Sequence, residues 1–248
     1  MISKTRKSNL FLCVVFVPSF ERRSGFLFLR RVERMITITN EDCMDLMERY
    51  PDKHFELAIV DPPYGIGDYQ SVGDPDVYDL RARKKYGPVH WNNNIPDDEY
   101  FLELLRVSRE QIIWGANYYN RFIGKRGAIV WDKKNDESRF SDCDIASCSM
   151  QKKITVFRYR WFGMLQEDMR NKEVRIHSAQ KPVALYKWLL KNYAKPGDKI
   201  LDTHLGSGSI AIACHDAGYD LTACEIDKDY YEAAMKRLEQ HQKQLKLI

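Results

Sequence analysis

Residues 198–218 read Asp-Lys-Ile-Leu-Asp-Thr-His-Leu-Gly-Ser-Gly-Ser-Ile-Ala-Ile-Ala-Cys-His-Asp-Ala-Gly. An apolar strand runs into an acid, Asp202. Two glycines come next, Gly206 and Gly208, and then a helix begins with Ser209 expected as its cap. Glycines let a backbone approach a ligand closely. The next strand ends on an acid, Glu225, placed where a carboxylate suits a ribose diol. Gly206-x-Gly208-x-x-Ala211 fits the loose fingerprint of a nucleoside cofactor. No Gly-Lys-Ser/Thr comes after it, so this is not a phosphate P-loop. Asp202 would repel a pyrophosphate and suits an ammonium. That choice points to S-adenosylmethionine, which carries an amino-acid group and an adenosine ribose, rather than to a nicotinamide dinucleotide.

Working outward, strands and helices alternate from Met35 onward. Alternation of this kind implies a mainly parallel sheet with helices on both faces, and ligands beyond the carboxyl ends of its strands. Strands are expected over Ile36–Thr39, in "FELAIVDPPYG" (55–65) with its apolar centre at Leu57–Val60, and in "QIIWGANYY" (111–119), "GAIVWDKKN" (127–135), "CDIASCSM" (143–150), the start of "DKILDTHLGSGSIAIACHDAG" (198–218) and "DLTACEID" (220–227). Helices are expected over Cys43–Tyr50, from Pro96, from Pro182 and over Lys228–Lys243. Residues 151–176 mix basic and aromatic residues and fit no single element.

The other unusual turn is Ala58-Ile-Val-Asp-Pro-Pro-Tyr-Gly65. Two prolines cannot donate to a sheet ladder, so they end the strand and stiffen the turn beyond it. Asp61 and Tyr64 are thereby held at a strand end.

The 248 residues carry a net charge of +4, 44% hydrophobic and 30% charged residues. That is an ordinary soluble composition with room for a sizeable core. The mild basicity is compatible with a polyanionic partner. Six cysteines show no CxxC and no zinc-finger spacing, as expected of free thiols in a reducing cytoplasm. No metal-ligand set surrounds His177 or His204. The apolar run Leu10–Val17 is too short to span a bilayer. Residues 1–34 are expected to be a non-native or disordered extension, with Met35 as the natural start.

With both turns in view, together with "HSAQKP" (177–182), "DTHLGSGS" (202–209) and "ACEIDKDYYEAAMKRL" (223–238), the chain resembles the amino-group DNA methyltransferases, which methylate adenine N6 or cytosine N4. The catalytic motif precedes the cofactor glycines, as in the permuted, beta-type subclass. The resemblance covers about residues 35–238. It implies a Rossmann-like sheet of seven mainly parallel strands in a single catalytic domain, 35–248. Asp202, Thr203, Gly206, Ser207, Gly208 and Ser209 would line the methionine part of S-adenosylmethionine, with Asp61 beside it. Glu225 would bind the ribose, Asp42 would meet the adenine ring and Lys181 would lie near the methionine carboxylate. The family's glycine motif commonly begins Asp-Pro-Phe, where this chain has Asp202-Thr203-His204.

An exocyclic amine is a poor nucleophile because its lone pair is delocalised into the ring. The Asp61 carboxylate and the Pro62 carbonyl would grip its hydrogens, Pro63 would stiffen the turn and Tyr64 would stack on a flipped base. Asp rather than Ser before Pro-Pro favours adenine. Cytosine-N4 transfer, or a degenerate DNA-binding relative without catalysis, are the alternatives. Double-stranded DNA is the expected partner. Arg81, Arg83, Lys84 and Lys85 in segment 66–95 would close over the base, and Lys152, Lys153, Arg158 and Arg160 in segment 150–176 would read DNA. The resemblance also implies a homodimer and a cognate restriction endonuclease, for which the sequence has no signature.

Overall fold

A computed structural model of the chain describes residues 10–23, 26–67, 92–136, 141–162 and 165–244, with side chains from Arg34 onward. The elements are β1 (Leu10–Arg23), β2 (Phe26–Thr39), α1 (Cys43–Glu48), β3 (Phe55–Val60), α2 (Asp98–Val107), β4 (Ser108–Trp114), α3 (Ala116–Tyr119), β5 (Gly127–Asp132), β6 (Cys143–Cys148), β7 (Ile154–Arg158), β8 (Trp161–Phe162), β9 (Leu165–Gln166), α4 (Val183–Tyr193), β10 (Lys199–Asp202), α5 (Ser209–Ala217), β11 (Asp220–Cys224) and α6 (Lys228–Lys243).

One sheet has the order β1-β2-β11-β10-β3-β4-β6-β5-β7. The strands from β2 to β4 are parallel. β6 runs backwards between β4 and β5, β7 returns parallel to β5, and at the other edge β1 is antiparallel to β2. The sheet is therefore mainly parallel, as expected. It has nine strands rather than seven, or eight once the outer strand of the β1–β2 hairpin is set aside.

That hairpin lies where a loose extension was expected. Leu10 pairs with Thr39 and Arg23 with Phe26. Only Ile36–Thr39 of β2 goes on to pair with β11, which is the short strand legible in the sequence. The stretch "QIIWGANYY", expected as one strand, breaks after Trp114, where Gly115 turns the chain left-handed into α3. In segment 151–176, unassigned from sequence, lie β7, β8 and β9.

Two apolar clusters cover the two faces. Ile36, Leu57, Ile112, Ile200 and Leu221 meet α4, α5 and α6 on one side. Phe55, Val60 and Ile113 meet α1 and α2 on the other. Buried aliphatic strands covered on both faces are the physical reason that the parallel sheet reads as near-continuous apolar runs. Asp42 caps α1 and Asp97 caps α2, each accepting a backbone N–H. The C-terminal ends of β2, β11, β10, β3 and β4 share one edge, which carries in turn Asp42, Glu225, Asp202–Thr203, Asp61 and Gly115. Because β6 is reversed, its beginning rather than its end reaches that same edge.

Candidate active site

The glycine turn is held by Glu225. Its Oε2 accepts the Gly206 N–H at 2.8 Å and its Oε1 accepts the Asp227 N–H at 2.9 Å. Gly206 and Gly208 have φ of 53° and 71°, the left-handed region that glycine enters without strain. A Cβ on Gly208 would also press on Ala234 at 3.2 Å. The cap of α5 is Gly208, so Ser209 is its first residue and not its cap. Ser209 Oγ instead accepts from Arg237, whose guanidinium also bonds the Ser207 carbonyl at 2.8 Å and pairs with Glu173 at 2.6 Å. Arg237 braces the turn from α6; the sequence carried no sign of it.

Asp202 is 1% exposed. Its Oδ1 accepts the His204 N–H at 3.0 Å. Burial pushes its carboxyl up to about 8, and the nearby charges of Asp61 and Glu225 push the same way. Glu225 is also raised, chiefly by burial. The Asp61, Asp202 and Glu225 side chains thus converge on one crevice at the strand ends. Thr203, where the family has proline, bonds the Tyr100 hydroxyl at 2.7 Å and the His204 ring at 2.9 Å. This polar cluster fills the departure from the family motif from α2. Burial holds both His204 and His177 down to about 4, so both rings are neutral at pH 7. Asp42 sits at the same edge, with Oδ1 spent on the N–H of Met44.

Asp61 lies on the strand next to β10. Its Oδ1 accepts the Tyr64 hydroxyl at 2.6 Å and its Oδ2 accepts the Lys181 ammonium at 2.5 Å. Lys181, expected beside a cofactor carboxylate, donates to Asp61 in this structure. Pro62's carbonyl accepts from the Tyr119 hydroxyl at 2.6 Å, which also reaches Pro63's carbonyl at 3.0 Å. Each of these oxygens has a further lone pair for an amine hydrogen. Tyr64 stacks on Tyr118 with ring centres 4.7 Å apart, and its backbone N–H donates to Asn92. Gly115, at φ 82°, leaves room for the Tyr64 ring, since a Cβ there would lie 2.4 Å from it. Beside the two rings is a cavity of about 110 Å³ lined by Tyr64, Tyr118, Asn117, Cys143 and Asp144.

The structure thus gathers Asp42, Asp61, Pro62, Pro63, Tyr64, Lys181, Asp202, Thr203, Gly206, Ser207, Gly208, Ser209 and Glu225 at one edge. It divides the second basic cluster. Arg158, paired with Asp132, ends β7 on the crevice side, and Arg160 lies just beyond it. Lys152 and Lys153 precede β7, at its opposite end, ~17 Å away along the strand. Arg81, Arg83, Lys84 and Lys85 lie outside the described residues. Trp114 and Trp131 are fully buried and pack in the core. The five cysteines with described side chains are free. No described helix is long and apolar enough to cross a membrane.

A family model described as DNA methylase, N6_N4_Mtase, matches residues 107–236. The turn at Asp61 precedes that span. The Type II methyltransferase M.BglII of Bacillus subtilis is 22% identical over 245 residues, covering 81% of this chain and 68% of its own. The Type II methyltransferase M1.MboII of Moraxella bovis is 22% identical over 244 residues, covering 78% and 92%. Among solved structures, M1.HpyAVI in complex with SAM aligns with a TM-score of 0.51 at 20% identity, over 82% of this chain and all of its own. PvuII DNA methyltransferase (cytosine-N4-specific) aligns with a TM-score of 0.53 at 13% identity, over 86% and 88%. At these identities the structural likenesses speak for the fold alone.

Proposed function

The chain belongs to the N6/N4 DNA methylase family, and from that premise we propose that it transfers a methyl group from S-adenosylmethionine to the N6 amine of an adenine flipped out of duplex DNA. One observation carries the reading. The Asp-Pro-Pro-Tyr turn and the glycine turn close adjacent strands, β3 and β10, so the amine-gripping acid opens onto the same crevice as Asp202 and Glu225.

The crevice suits this cofactor by charge. Asp202 and Glu225, both raised by burial, are relieved by a cation, and S-adenosylmethionine brings an ammonium and a sulfonium. When bound, it supplies an electrophilic methyl group. Gly206 and Gly208 let the backbone approach it, Asp202 faces its ammonium, and Glu225, already fixed by two backbone N–H groups, meets its ribose. Asp42 closes the adenine end.

The chain's own residues handle the amine. Asp61 and the Pro62 carbonyl accept its two hydrogens and favour a more tetrahedral nitrogen. Tyr119 and Pro63 keep those acceptors still, so the work is alignment and charge placement. Tyr118 covers the stacking face of Tyr64, so the incoming base takes the place of that ring. Arg158 and Arg160 meet phosphates. Residues 35–248 act as one catalytic domain in the cytoplasm. The names of the relatives support a role beside a restriction endonuclease.

The test uses protein from Met35, unmethylated DNA and the cofactor, with subsequent digestion to nucleosides and mass spectrometry. N6-methyladenine that disappears in Asp61→Ala is the expected result. N4-methylcytosine would overturn the choice of base and keep the mechanism. Cofactor-free, product-free binding of DNA would instead favour the degenerate relative.

A further inference from the structure

We infer that Asp144 is a positioning residue for methyl transfer: it shares the Lys181 ammonium with Asp61 and takes it over when Asp61 grips the amine. The inference rests on the proposed role of Asp61 as the amine-gripping acid.

Lys181 is 4% exposed, and its ammonium lies in a cage. Asp61 Oδ2 is 2.5 Å away, the Tyr64 hydroxyl 3.1 Å and Asp144 Oδ2 3.8 Å. The rings of Trp114 and Tyr64 flank it at 5.2 and 5.6 Å. A buried ammonium needs a carboxylate. Asp61 alone could satisfy it, but at a cost to catalysis. As the methyl group moves, positive charge develops on the amine nitrogen, and Asp61 is the anion beside it. An ammonium bound to that same carboxylate opposes the developing charge. A second carboxylate within ion-pair distance removes the conflict, because Lys181 can slide toward it without leaving its aromatic walls.

Asp144 is built for this. It is the second residue of the reversed strand β6, which brings it to the crevice edge opposite Trp131 of β5. Its other oxygen is held by Lys133 at 2.6 Å. Lys133 does not account for the arrangement alone, since Oδ2 faces Lys181. The row Asp61–Lys181–Asp144–Lys133 alternates in sign from the reacting centre outward. Lys133 competes with Lys181 for Asp144, so the two ends of the row oppose each other.

That opposition gives the test. Steady-state and single-turnover methylation are measured for wild type, Asp144→Asn, Lys133→Met, Lys181→Met and the double variant Asp144→Asn/Lys181→Met. Base flipping is tracked separately by 2-aminopurine fluorescence in the target position, and cofactor affinity by titration. Asp144→Asn is expected to lower kcat by roughly 10²-fold, with cofactor affinity and fluorescence unchanged. Lys133→Met should leave kcat unchanged or raised. Asp144→Asn should have no added effect once Lys181 is Met.

The inference is overturned if kcat of Asp144→Asn equals wild type, if flipping is lost instead of turnover, or if Asp144→Asn and Lys133→Met both lose turnover together with thermal stability. Should Asp144→Asn not fold, a lowered kcat in Lys133→Met overturns it alone. A wild type that methylates neither base overturns the functional reading; a wild type that methylates while these variants behave alike overturns only this one.

Discussion

Asp202 and Asp61 end neighbouring strands, yet their charges live under opposite conditions. Asp202 is buried and answered by one backbone N–H. Asp61 is held by a hydroxyl and an ammonium. The first carboxyl is held protonated by burial and ionises when a cation arrives from outside. The second is balanced internally and only has to keep its oxygens in place. One crevice thus combines a stored binding preference with a rigid grip.

The sharpest way to break the comparison is at Asp61. Asp61→Ala should lower turnover by about 10³-fold or more while cofactor affinity changes little, measured by nucleoside mass spectrometry and titration. Equal losses of both would erase the division between the two carboxylates.

Next comes Gly115→Ala. The added methyl group meets the Tyr64 ring in a left-handed backbone. A drop in turnover of about 10²-fold is expected, with destabilisation of ~1–3 kcal/mol, read by kinetics and melting. Gly206→Ala, whose Cβ would find 3.8 Å of clearance within the chain, should cost less stability than Gly115→Ala and instead weaken cofactor affinity, read by titration.

Asp202 makes a prediction about pH. Its carboxyl titrates at about 8 in the folded chain and near its ordinary low value when unfolded. The folded chain therefore holds the extra proton between those values. Its contribution to stability is full at low pH and is lost as pH rises through about 8. Thermal melts of the cofactor-free protein should show stability falling from about pH 6.5 to 8, and Asp202→Asn should flatten that fall. His177 and His204 act in the opposite sense, because their folded values are depressed, but only below the ordinary imidazole range.

The smallest effects are expected at the DNA edge. Arg158→Ala with Arg160→Ala should reduce the salt slope of duplex binding by ~1–2, while Lys152→Ala with Lys153→Ala, at the far end of β7, should leave it unchanged.

Both turns were legible because they are written locally. Prolines end a strand wherever they stand, and glycines open a turn wherever the backbone must enter the left-handed region. Lys181 was recognisable as a site residue, but its partner is 120 positions away. Asp144 read as one polar residue in a strand, and Arg237 as one charge on a helix. Lys152 and Arg158 read as one cluster, although a strand of five residues separates them.

By itself, the sequence determined the strand-to-helix alternation, the acid at each strand end and the chemistry of the two turns, because those depend on residues within a few positions of each other. Only the tertiary structure decided which charges meet. Partners across the sheet depend on strand order and direction, which are set by the packing of the whole core, and the reversal of β6 is what turns Asp144 from a strand residue into a neighbour of the Lys181–Asp61 pair.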